Sequence, residues 1–170
     1  KEKGKIYTIG HSTMSLENFL GVLKKNSIEL VADVRTIPRS RHNPQFNMDT
    51  LPGELDKERI GYMHVGALGG LRHTVPDSIN AAWVNASFRG FAYYMQTTEF
   101  EKGLKELMKE ARSKRTVIMC AEAVPWRCHR SLISDALIIR GWHVEHITGA
   151  GSPHPHRLTS FAHVEGMKIT

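Results

Sequence analysis

Six side chains able to hold anions, move protons or attack as nucleophiles fall within eleven residues: Cys120, Glu122, Arg127, Cys128, His129 and Arg130. A packed core does not call for that composition, so a site is the better reading. A thiol between arginines and near a helix N-terminus has a lowered pKa, and its thiolate is the nucleophilic form. Cys128 is therefore the candidate nucleophile, with redox centre and metal ligand as its next roles. The plainer alternative is a small buried hydrophobe, which suits Cys120 at the end of an apolar run better. Glu122 can act as general acid or base if burial raises its pKa, or else simply pair with Arg127 or Arg130. A cysteine-phosphatase loop is disfavoured. Cys120 and Arg127 are separated by six residues, one more than that signature has, and the loop lacks glycines to wrap a phosphate.

Further candidates follow other apolar runs. His11 and Ser12 come after the run at 5–10, and His11 is a candidate proton mover or phosphate donor. Asp33 and Arg35 close the run at 30–34. Strand alternation puts them on one face, where they meet a common ligand or each other. Arg35, Arg39, Arg41 and His42 make the following loop basic, and with Arg127, Arg130 and a helix N-terminus they can cradle an anion. Gly69 and Gly70 mark a turn that would line the same edge. No cofactor is expected. Zinc is the exception to consider, through Cys120, Cys128 and His129, although Cys-x7-Cys is not the short spacing structural zinc prefers. Phe46, Tyr62, Trp83, Phe91, Tyr93 and Tyr94 can stack on a base or fill the core.

These residues need a scaffold, and the apolar pattern supplies one. Strands are expected at 5–10, 30–34, 62–65, 116–120 and 143–148. The first helix follows Ser15 as N-cap, with Met14 and Phe19 as a hydrophobic staple. Others are expected at 49–59, 90–95 and 98–113. The last is opened by Pro125, carries Leu132, Ile133, Ala136 and Leu137 on one face, and is ended by Gly141. Alternating strands and helices predict one α/β domain: an open, mostly parallel sheet of about five strands with helices on both faces. The segment 149–170, with His154 and His156, reads as a tail folding back over the sheet edge. In such sheets ligands bind beyond the carboxyl ends of the strands, where the candidate residues fall.

At 170 residues and 41% apolar content the chain can build a real core. No run is long enough to cross a bilayer, and nothing ahead of the first strand reads as a signal peptide. Its two cysteines are not a secreted disulfide framework, so a cytoplasmic protein is expected. The formal charge of +6 favours anionic partners, a small molecule or nucleic acid.

The ordered motifs GHS at 10–12, DVRxxPxS at 33–40, LGG at 68–70, CAE at 120–122, CHR at 128–130 and PHRLT at 155–159 resemble the DUF488 family of prokaryotic proteins. The resemblance runs through nearly the whole chain, and 72–87 is the stretch most open to local variation. It implies a compact intracellular α/β domain and assigns no activity. The residues themselves favour an enzyme acting on a phosphate-bearing substrate, a nucleotide or nucleic acid. The alternative is a nucleic-acid-binding module that uses the same basic edge without chemistry. A binder needs a spread of Lys and Arg, whereas here acids, thiols and imidazoles are concentrated among the arginines.

Overall fold

The computed structural model describes residues 4–35, 38, 42–69, 91, 94–122, 129–148, 153–156, 164–165 and 168–169. Five apolar runs become parallel strands of one sheet: β1 (Gly4–Gly10), β2 (Leu30–Asp33), β3 (Gly61–His64), β4 (Thr116–Cys120) and β5 (Trp142–Ile147). A sixth short strand, β6 (His154–Pro155), joins antiparallel to β5, giving the order β3-β2-β4-β1-β5-β6. Within the segment expected to fold back, His154–Pro155 pairs along the sheet edge, and the strand count rises from about five to six. Further along, β7 (Val164–Glu165) and β8 (Lys168–Ile169) pair as a separate two-stranded ribbon.

The helices are α1 (Leu16–Lys25), α2 (Leu51–Lys57), α3 (Thr98–Ala111) and α4 (Arg130–Ile139). Ser15 caps α1, its Oγ accepting from the Asn18 N–H at 3.1 Å, and Met14 and Phe19 join one apolar cluster, as the staple requires. Thr97 caps α3 in the same way through the Phe100 N–H. Gly141, at φ 95°, turns the chain out of α4 into β5, a conformation glycine adopts without Cβ strain. The stretch around Pro125 lies outside the described residues, as do residues 90, 92 and 93 of the helix expected at 90–95.

Strand alternation divides the core into two layers. Tyr7, Ile9, Val31, Val117, Met119 and Ile147 face α1 and α2. Ile6, Ala32, Ile118, Cys120 and Val144 face α3 and α4. The central strands are buried throughout, as a sheet covered on both faces demands. From β1 the chain passes along the α1 face, across β4, to β2; from β4 it passes along the α4 face, across β1, to β5. Neighbouring β1 and β4 therefore send their connections in opposite directions over opposite faces. That is a topological switch point, and in such sheets ligands bind in the crevice beyond the carboxyl ends of these strands.

Candidate functional site

At the switch point the chain leaves β1 and β4 side by side. The His11 N–H donates to the Cys120 carbonyl at 2.9 Å and the Ser12 N–H to the Ala121 carbonyl at 3.0 Å, carrying the ladder one step past the strands. Ser12 is held at φ 46°, in the left-handed region that non-glycine residues rarely occupy. The two loops are thus fixed against each other at the floor of the crevice.

On the α1 face, Asp33, Arg35, His11 and Tyr62 form one unit. Asp33 is wholly buried and Arg35 is 7% exposed. Arg35 Nε donates to Asp33 Oδ1 at 2.9 Å and Nη2 to Oδ2 at 2.7 Å, a bidentate pair, while the Tyr62 hydroxyl donates to Oδ2 at 2.6 Å. Arg35 Nη2 also donates to the Phe46 carbonyl at 2.6 Å. Of the alternatives open for Asp33 and Arg35, the one adopted is their mutual pairing. Burial, with Asp33 beside it, pushes the Tyr62 phenol up.

His11 stacks on Phe46, ring centroids 4.3 Å apart, and its Nδ1–H donates to the Ser12 carbonyl at 2.9 Å. That leaves Nε2 as the lone-pair nitrogen, facing Arg35 Nη1 at 3.4 Å. Burial holds the imidazole below its ordinary value, and the neighbouring guanidinium acts in the same direction. His11 is therefore neutral at pH 7. Phe46 is completely buried, so it acts here as core and as the platform for His11.

The opposite flank carries Cys120, Glu122, His129 and Arg130. Cys120 is 2% exposed and belongs to the core of the α3/α4 layer, with Sγ 3.6 Å from the Glu122 carbonyl. The Glu122 side chain is exposed. His129 occupies the N-cap of α4, with Nε2 donating to the Val34 carbonyl at 3.2 Å and the ring edge-on to Phe91; burial pushes its pKa down. Arg130 is completely buried: Nη1 donates to Thr8 Oγ1 at 3.3 Å and Nη2 to the Glu122 carbonyl at 3.2 Å. Gly69 caps the 3-10 turn Gly66–Leu68 through its N–H to the Gly66 carbonyl. Arg39, Gly70, Arg127 and Cys128 lie outside the described residues, as do Arg41, Trp83 and Tyr93. Among the described residues no group of three His, Cys, Asp or Glu side chains could hold a metal ion.

Behind Arg130 runs a buried polar chain that the sequence pattern did not single out. Thr8 Oγ1 lies 2.5 Å from His146 Nδ1, His146 Nε2 lies 2.7 Å from His156 Nδ1, and His156 Nε2 lies 2.6 Å from Asp135 Oδ1. Thr8 and Asp135 are completely buried and His146 is 4% exposed. Burial first, then His156, Arg130 and His154, push His146 down to about 3.

A family model described as a domain of unknown function, DUF488, matches residues 15–137, well over half of the chain. The chain belongs to this family. No curated protein and no solved structure matches it. Within the DUF488 span lie Asp33, Arg35, Cys120, Glu122 and α4 as far as Leu137, including Arg130 and Asp135. Gly10–Ser12, β5 and His156 lie outside it, although His11 and Thr8 bond directly to residues inside. One signal for the missed chain stands in the sequence: Asp135 interrupts the apolar run LISDALII of a helix otherwise packed on the sheet. An unpaired carboxylate is too costly there, so a buried partner is required.

No described helix is long and apolar enough to cross a membrane.

Proposed function

We propose that the crevice between β1 and β4 is the active site of an enzyme acting on an anionic, phosphate-bearing substrate, a nucleotide or a piece of nucleic acid. The observation that carries this reading is the placing of a completely buried cation, Arg130, at the first turn of α4 and directly beneath a topological switch point. A helix N-terminus and a desolvated guanidinium together favour an anion, and water is excluded from beneath it. The positive charge of the whole chain acts in the same sense.

In this reading Arg130, with Arg39 and Arg127, attracts and holds the anion. Cys128 is the nucleophile, with redox centre and then zinc ligand as its alternative roles, and the exposed Glu122 moves the proton. Arg35 and His11 serve differently from a simple anion clamp. Arg35 is neutralised by Asp33, and neutral His11 has its Nδ1–H committed to Ser12, so the pair shapes the floor of the crevice and leaves Nε2 to accept a proton. A reduced thiol at the centre of the chemistry suits a cytoplasmic protein.

The test is the alkylation rate of each cysteine against pH in the native protein, read by mass spectrometry with and without chelator. Rapid reaction of Cys128 with an apparent pKa well below about 8.5 is the expected result. Inert thiols under both conditions would overturn the nucleophile, and reactivity only after chelation would make Cys128 a zinc ligand. Nucleotide binding is then followed against salt. Affinity retained at high salt supports the enzyme, whereas steep weakening with generic DNA or RNA marks a nucleic-acid-binding module instead.

A further inference from the structure

The buried polar chain behind Arg130 has a direction, and the chemistry of its members fixes it. A guanidinium has only donors, so Arg130 Nη1 donates to Thr8 Oγ1. Among the described residues the acceptor at hydrogen-bond distance from the Thr8 hydroxyl is His146 Nδ1, at 2.5 Å. His146, neutral, then carries its proton on Nε2 and donates to His156 Nδ1. His156 in turn carries its proton on Nε2 and donates to the carboxylate of Asp135. Every proton points from the guanidinium to the carboxylate. Reversing any one link sets two donors or two bare nitrogens face to face.

The ends of this chain are two completely buried, oppositely charged side chains five positions apart on α4. Two imidazoles and a hydroxyl from β1, β5 and the residue after β6 join them. Neither Thr8 nor Arg130 is a useful acid, so the chain does not conduct a proton. It transmits charge compensation and orientation.

We propose that Thr8, His146, His156 and Asp135 are positioning residues for Arg130, holding its guanidinium at the crevice through one polarised hydrogen-bond chain. The assignment of Arg130 to an anion site rests on the function proposed above; the polarity of the chain does not. One consequence is that the segment carrying His156, beyond the DUF488 span, sets the geometry of a residue inside it.

The test is side-chain nitrogen NMR on the intact chain at about pH 8, above ordinary imidazole titration. Both His146 and His156 are expected as single Nε2–H tautomers with Nδ1 unprotonated, and Arg130 with resolved, slowly exchanging Nη protons. Asp135→Asn keeps the shape but offers an amide that donates as well as accepts. It should scramble the His156 tautomer and broaden the Arg130 signals at least several-fold while the backbone spectrum is retained. Should that variant fail to fold, Thr8→Val removes the hydroxyl that joins Arg130 to His146 and should broaden the same signals, while the bonds through His156 to Asp135 keep both rings in the Nε2–H form. An Nδ1–H ring in the wild type, or unchanged Arg130 signals in the folded variant, would overturn the proposal. Inorganic phosphate is titrated into the same samples. If it leaves wild-type Arg130 signals unmoved while the tautomers are as stated, the anion site fails and the positioning chain stands.

Discussion

Asp33 grips Arg35 with both carboxylate oxygens, at 2.9 Å to Nε and 2.7 Å to Nη2, in a setting where the acid is wholly buried. Desolvation makes each charge dependent on the other. Asp33→Leu or Arg35→Met alone should therefore destabilise the fold by about 3–5 kcal/mol, while the double replacement costs less than either. Urea unfolding of the three variants checks this. Single variants within about 0.5 kcal/mol of wild type would mean that water reaches the pair.

Tyr62 donates to the same carboxylate, and its phenol is pushed up. The neutral phenol is favoured in the folded state. Its contribution is complete below the unfolded value of about 10 and is lost as pH climbs from there through the folded value. Tyr62→Phe should cost about 1–3 kcal/mol at neutral pH and flatten the alkaline fall in stability. A wild-type profile as flat as the variant's above about pH 10 would contradict the buried hydrogen bond.

His146 works in the opposite pH range. Held down to about 3, it stays neutral in the folded chain, whereas the unfolded ring protonates near 6.5. The stability it confers is present above about 6.5 and lost as pH falls toward 3, with a slope of at most about 1.4 kcal/mol per pH unit. Burial of His11 and His129 adds to the same acid slope. Unfolding free energies measured from neutral pH downward should fall less steeply in His146→Asn than in wild type. Parallel slopes would show that the ring protonates in place.

Gly103 lies inside α3, where glycine normally costs helix stability and Ala would be an improvement. Here a Cβ would come within 2.8 Å of the Ala67 Cβ, so the 3-10 turn Gly66–Leu68 must move. Gly103→Ala should lower stability by about 1–3 kcal/mol despite its better propensity. A raised denaturation midpoint would show that the turn yields freely.

Glu122 separates chemistry from folding. Its carbonyl receives Arg130 Nη2, while its side chain is exposed. Glu122→Gln should leave the unfolding free energy within about 0.5 kcal/mol of wild type. Any loss of substrate turnover or binding then reports on the carboxylate itself. A large loss of stability would assign the side chain a structural role.

Much of this molecule follows from local pattern. Runs of β-branched and apolar residues fixed the strands to within a residue or so, because a strand buried on both faces tolerates little else. Ser15, the apolar period across 98–113 and Gly141 marked helix ends and faces through capping and periodicity, which depend only on near neighbours. The grouping of His11, Asp33, Arg35, Cys120 and Glu122 at one sheet edge followed in turn, since parallel strands present their carboxyl ends together. What each polar residue bonds to was decided elsewhere. Asp33 and Arg35 share a face in the sequence, but their mutual pairing needed Phe46 and Tyr62 to close around them. His11 is a candidate base by type, and only its stacking on Phe46 and its bond to Ser12 make it neutral with Nε2 bare. The chain from Arg130 to Asp135 joins residues up to 138 positions apart, and no local window contains it. Hydrogen bonds and desolvation act over a few ångströms in space whatever the distance along the chain. The sequence alone therefore determined the scaffold and the edge, and the tertiary structure decided the protonation and partners of everything placed there.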